Sequence, residues 1–162
     1  MTLLGVKEST QDIDFMVPDL KEYDYLISTL KQLGYEPKTS YGWSRKGEIF
    51  VFDFFRGNRI HTTELLESPL KKGRNIELVE LSKIYVGILI YEDLIASKLM
   101  RGSSVDFEDC LLLVKAKKEE INIPQLRDHF YELAGYDVAA ARIKGHWDSF
   151  EKKLRKEGLY DG

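Results

Sequence analysis

Residues 12–17, Asp-Ile-Asp-Phe-Met-Val, alternate polar and apolar positions between a polar run and Pro18. A period of two marks a strand, so Asp12 and Asp14 share one face with Met16, while Ile13, Phe15 and Val17 share the other. The period then lengthens. Leu20, Tyr23, Ile27 and Leu30 follow helical spacing behind an Asp19 cap, with Glu22 three residues on, and Gly34 ends the helix. A short extended piece at 35–39 leads into a hairpin with arms at 41–45 and 48–55 and a turn at Lys46-Gly47. The second arm is almost wholly apolar, as an inner strand covered on both faces would be. Residues 56–74 read as a polar connection, followed by strands at 76–81 and 84–90. Helices are expected from Tyr91 to about Met100, from near Val105 behind a Ser103 or Ser104 cap, from Gln125 to Ala134, and from about Val138 to Lys156. Ahead of all these, Gly5 closes the end of a short helical piece.

This order of elements makes an α/β (α+β) fold, a mixed sheet with flanking helices. Residues 1–118 are expected to form one domain, with a C-terminal helical segment over 119–162 packed on it. Composition narrows the picture. A hydrophobic content of 43% supports a core, and a net charge of −3 gives no global attraction to nucleic acid or anionic membrane. Cys110 is the single cysteine, which excludes an internal disulfide framework and a thiolate zinc cluster. No apolar run approaches the length of a membrane span, and a cytoplasmic setting is the default expectation.

Three acids carry the candidate chemistry. Asp12 and Asp14, side by side on a strand, read either as a metal site at the strand's mouth or as solvated residues at its start. Asp53 stands alone among aromatics in the second hairpin arm. There it needs a cation, a donor network, or a place at the strand end beside a cleft. Lys98 and Arg101 lie near one helix edge, and Asp106 and Asp109 share a face of the next helix. The basic group Lys71, Lys72 and Arg74 reads as a phosphate contact or a solvated loop. His61, His129 and His146 show no metal-site spacing, and His146 beside Trp147 reads as a packing residue. No nucleophile-base arrangement, phosphate loop or dinucleotide fingerprint occurs.

The run from Lys7 to Val17, containing Ser9, Thr10 and the Asp-x-Asp, resembles the metal-binding strand of the nucleotidyltransferase fold, the DNA polymerase β superfamily. The nearest likeness is to minimal nucleotidyltransferases and AbiEii-like toxin-antitoxin families. Residues 92–101, Glu-Asp-Leu-Ile-Ala-Ser-Lys-Leu-Met-Arg, followed by Asp106-Phe-Glu-Asp109, resemble the helix pair of the same families. The likeness covers residues 1 to about 115. It departs at the family's Gly-Ser or Gly-Gly, which would fall just before Met1, and at the basic residue that often precedes the helix aspartate.

The resemblance implies transfer of a nucleoside monophosphate from an NTP to a hydroxyl on RNA or protein. Asp12, Asp14 and Asp53 would be catalytic and would hold two Mg²⁺ (or Mn²⁺) ions. Ser9, Thr10, Lys98, Arg101 and Asp109 would line the nucleotide. A catalytically inactive module of the same fold, acting as an antitoxin or scaffold, is the alternative. Lys98 is expected to be mostly exposed and drawn to the strand acids. Removing the Asp14 charge is expected to relieve repulsion at little cost in stability.

Overall fold

The computed structural model describes residues 1–6 and 12–161. A 3-10 turn at Thr2–Leu4 ends at Gly5. The elements then run in order: β1 (Asp12–Val17), α1 (Leu20–Gln32), β2 (Glu36–Pro37), β3 (Gly42–Ser44), β4 (Val51–Arg56), β5 (Arg59–Ile60), β6 (Thr63–Glu64), β7 (Asn75–Leu81), β8 (Ile84–Leu89), α2 (Tyr91–Arg101), α3 (Ser104–Ala116), α4 (Ile123–Gly135) and α5 (Ala140–Lys156). The chain is therefore the mixed α/β protein that its patterning predicts.

The main sheet has the order β1-β4-β3-β2, with β1 parallel to β4 and the remaining pairs antiparallel. The β1–β4 crossover carries α1, whose first turn is fixed by the Asp19 carboxylate accepting from the backbone N–H groups of Lys21 and Glu22. This helix lays Tyr23, Leu26, Ile27 and Leu30 on Phe15, Val17, Phe52 and Phe54, with Trp43 and Tyr35 closing the cluster. Phe15 stacks on Phe54 at 5.3 Å between ring centroids. Alternation then forces the other residues of β1 and β4 to the opposite face. That face carries Asp12, Asp14 and Met16 from one strand and Val51, Asp53 and Phe55 from the other.

The connection at 56–74, read as a polar connection without strands of its own, contains the small β5–β6 hairpin. Strands of two residues carry too little periodicity to register in a pattern. β7 and β8 form a separate two-stranded sheet, with an irregular register between Glu77 and Val79. Past that irregularity, Val79, Leu81, Ile84 and Val86 fall on the side of Ile76 and Ile88, which keeps an apolar row on one face of the ribbon.

The second core belongs to the helices. Ile95, Leu99, Leu113, Val114, Leu126, Phe130, Trp147, Phe150 and Leu154 bury together, so α4 and α5 share one cluster with α2 and α3. Met1, Leu4 and Val6 pack against its edge. The corner between α2 and α3 turns at Gly102, whose φ of 68° is left-handed. A Cβ there would stand 2.3 Å from the His146 ring. That ring is anchored by a 2.7 Å hydrogen bond between its Nδ1 and the Leu99 carbonyl, so His146 is the packing residue it was expected to be.

Candidate functional site

Strand register decides where the acids meet. Asp14 on β1 pairs with Asp53 on β4, and in a parallel pair registered residues project to the same side. Asp12 is two residues back on the same face, beside Val51. Across the sheet, Asp53 pairs with Gly42 of β3. A Cβ on Gly42 would lie 2.8 Å from Asp53 Oδ1 and 2.7 Å from Thr39 Oγ1. The missing side chain is thus what makes room for the Asp53 carboxyl. Thr39 holds this approach by accepting the Gly42 N–H at 2.7 Å.

The two facing aspartates have opposite electrostatics. Burial raises the Asp53 pKa above the ordinary carboxylate value, and the charges of Asp14 and Asp12 push it the same way. Burial also acts to raise Asp14. There the hydrogen bond and charge of His61, then the charges of Arg101 and Lys98, more than reverse it, so its pKa ends lowered. Asp14 therefore has favourable neighbours from two directions, the His61 imidazole of the β5–β6 turn and the cations of the α2 helix. Removing its charge forfeits those interactions, contrary to the expectation of simple relief from repulsion.

His61 is the residue that sequence reading named only to set aside for want of metal-site spacing. Its Nε2 lies 3.4 Å from Asp14 Oδ2. Its ring meets Phe55 edge-on at 4.6 Å, and its φ of 50° is the only positive value at a non-glycine among the described residues. No spacing rule signals it, because its partner is distant in sequence and the strands that hold it are two residues long.

Lys98 is not mostly exposed: its side chain retains 15% of its accessible surface. Nor is it bonded to the strand acids. It donates to Asp109 Oδ2 at 2.8 Å and lies 3.7 Å from Asp106 Oδ1. Arg101 pairs with Asp106, which also completes a capping box with Ser103 at the start of α3. These charges pair with one another at the α2–α3 corner, and the positive charges of Arg101 and Lys98 also act to lower the Asp14 pKa. Ser9 and Thr10 lie outside the described residues.

Among the described residues, no group of three or more His, Cys, Asp or Glu side chains is gathered as a set that could hold a metal ion. The carboxylate oxygens of Asp12, Asp14 and Asp53 are donors of the kind a hard divalent cation takes, but they are not gathered around one position. The Asp14–Asp53 pair shares one sheet face, and Asp53 sits where its own ionisation is opposed by like charge. The lone thiol is no competitor as a nucleophile. Cys110 is buried, and burial pushes its pKa far up.

No protein-family model matches the chain, and no curated protein matches it either. No helix among the described residues is long and apolar enough to cross a membrane.

Proposed function

We propose that this chain is a nucleotidyltransferase-like protein that moves a nucleoside monophosphate from an NTP to a hydroxyl acceptor on RNA or protein. The observation that carries the reading is the in-register Asp14–Asp53 pair, with Asp12 on the same face and two cationic side chains of α2 acting on Asp14. In this reading Asp12, Asp14 and Asp53 hold two Mg²⁺ or Mn²⁺ ions. Bound ions of this kind offset the charge that develops on the attacking and leaving oxygens of an in-line displacement.

The chain's own groups supply the rest. Asp53, which would ligate one of the ions, would also assist deprotonation of the acceptor hydroxyl. Lys98 would present a point charge to phosphate once it turned from Asp109, with Arg101, whose charge also acts on Asp14, beside it on α2.

A second reading has its own observation. Lys98 already has carboxylate partners in Asp109 and Asp106, an arrangement that holds the α2–α3 corner without any nucleotide. A non-catalytic module of the same fold, serving as an antitoxin or scaffold, would keep that network for stability alone.

Incubation of the purified chain with each α-labelled NTP, Mg²⁺ or Mn²⁺, and bulk RNA or protein separates the two. The enzyme reading expects label to enter an acceptor and to disappear in Asp14→Asn and Asp53→Asn. Unlabelled acceptors under every combination, with the variants indistinguishable from wild type, would favour the module.

A further inference from the structure

We infer that the outer side of α5, with the facing edge of α4, binds single-stranded RNA. A cleft at Gly145 takes one unstacked base, and the lysines that continue along α5 take the phosphates. The inference rests on the reading of RNA as an acceptor and deepens it, since it chooses RNA over protein and places the strand on the fold.

The charges of α5 are the first observation. This helix holds six lysines and arginines against two acids, in a chain whose net charge is −3. One of the acids, Glu151, is occupied by Arg155 and the Trp147 indole. Arg142, Lys144, Lys152, Lys153 and Lys156 make no ion pair among the described residues. Ile143, Trp147, Phe150 and Leu154 bury the inner face. Gly145, Lys152 and Lys156 follow one another at seven and four residues, so they lie along one strip of the outer side. Lys152 and Lys156 are a turn apart, a spacing at which like charges destabilise a helix and a polyanion relieves them.

The second observation is Gly145 itself. It sits inside the helix, where glycine is a poorer helix former than alanine. Packing does not require it, because a Cβ there would meet nothing within 4 Å. The open space belongs to a cleft of about 400 Å³ between α4 and α5, lined by Tyr131, Lys144, Gly145 and Asp148 among others. Tyr131 is held by Phe130 and Trp147, with ring centroids 6.0 and 6.3 Å away, so the aromatic surface it gives the cleft is fixed.

The ligand class follows from this combination. Proteins that bind single strands pair an aromatic surface for stacking with cations that track the backbone. Asp148 repels phosphate but accepts N–H groups from a base edge, as carboxylates do from the cytosine amino group. The base therefore enters the cleft and the phosphates pass outside it, toward Lys152 and Lys156. An acidic protein segment would meet Asp148 as a like charge. An anionic membrane would need an apolar face, and α5 buries its own. His146 on another edge of α5 bonds the Leu99 carbonyl, which fixes this surface to the helix that carries Lys98 and Arg101.

The test is fluorescence anisotropy of a labelled single-stranded RNA of about 12 nucleotides and mixed sequence, without metal or NTP. Three phosphate contacts should give a slope of log affinity against log salt of about −2, or a loss of about 20-fold between about 50 and 200 mM salt. Lys152→Glu, Lys153→Glu and Lys156→Glu combined should weaken binding at least about 10-fold and flatten the slope. The exposed Lys21, Lys46 and Lys83, changed together to Glu, alter net charge equally and should cost less than about 3-fold. Gly145→Gln fills the cleft with a better helix former. It should weaken binding about 5-fold or more while the melting temperature stays level or rises. Absent RNA binding, equal losses in the two triple variants, or Gly145→Gln binding as wild type would overturn the inference. So would a polyglutamate peptide of equal charge that binds as tightly, or DNA of the same sequence that binds more than about 10-fold tighter. RNA binding at α5 in a chain that labels no acceptor would keep this surface and overturn only the transfer reading. Labelling of protein alone, with no RNA bound, would do the reverse.

Discussion

Asp53 and Asp14 face each other across one strand pair, yet their charges affect folding in opposite directions. The raised pKa of Asp53 means that the folded chain holds its proton more tightly than the unfolded chain does. Its ionisation therefore costs stability, a cost absent at low pH and complete once pH exceeds the folded value. Asp14, with its lowered pKa, contributes stability above its unfolded value near 3.8, and that contribution is lost as pH falls through the folded value. Asp53→Asn should accordingly raise the melting temperature at pH 7, with the gain vanishing as pH drops through the carboxylate range. Asp14→Asn should lower it at pH 7. Melting curves for both variants between pH 3 and pH 8 check the signs. A fall for Asp53→Asn at pH 7 would mean that hydrogen bonding at Asp53 outweighs its burial and repulsion. At this scale the acids were readable in advance, because period-two alternation puts Asp12 and Asp14 together and a lone carboxylate in an aromatic strand needs a reason. His61 was not, since a turn residue has no period and its partnership with Asp14 is a product of the fold.

The elements are joined by charges as well as by apolar surface, and the fullest case is Asp93 in the first turn of α2. Its side chain is completely buried and takes Arg74 Nη2 at 2.6 Å and His129 Nε2 at 2.7 Å on the same oxygen. Arg74 precedes β7 and His129 lies on α4, so one carboxylate ties three parts of the chain together. A cleft of about 650 Å³ lies beside this junction, lined by Arg74, His129, Glu67 and Tyr136 among others. Removing one partner of a buried ion pair leaves the others without compensation, which typically costs about 3–5 kcal/mol. Asp93→Ala should therefore destabilise by about that much, whereas Glu92→Ala next to it should change stability by less than about 0.5 kcal/mol. Urea denaturation of both variants measures the difference, and equal, small effects would show that the junction contributes nothing net. Sequence pattern located α2 and α4 correctly through their apolar spacing. It read Arg74 only as part of a basic loop, because the acid that claims it is 19 residues away and buried by the helix it opens.

At the scale of the whole molecule, two cores meet at the candidate site. The sheet and α1 bury one cluster and the four later helices another. The acidic face of β1 and β4 takes charges from the α2 edge of the second. A ligand held by both sides would add to the coupling between them. With Mg²⁺ and an NTP at 100 times the dissociation constant, the gain should be about 2.7 kcal/mol. For a chain of this size that corresponds to a rise of about 5–10 °C in melting temperature. Lys98 divides this effect into two measurable parts. Because it is largely buried and bonded to Asp109, Lys98→Ala should lower the melting temperature without nucleotide, by about 3 kcal/mol of stability. If Lys98 also meets phosphate, the rise produced by Mg-NTP should shrink on top of that loss. The two readouts are independent, since one is the starting temperature and the other the increment. A lowered start with a full increment would leave Lys98 as a structural partner of Asp109 alone, and would weigh toward the non-catalytic module. A lowered start with a lost increment would mean that Lys98 exchanges Asp109 for phosphate as nucleotide enters, which makes the α2–α3 corner the moving part of the site.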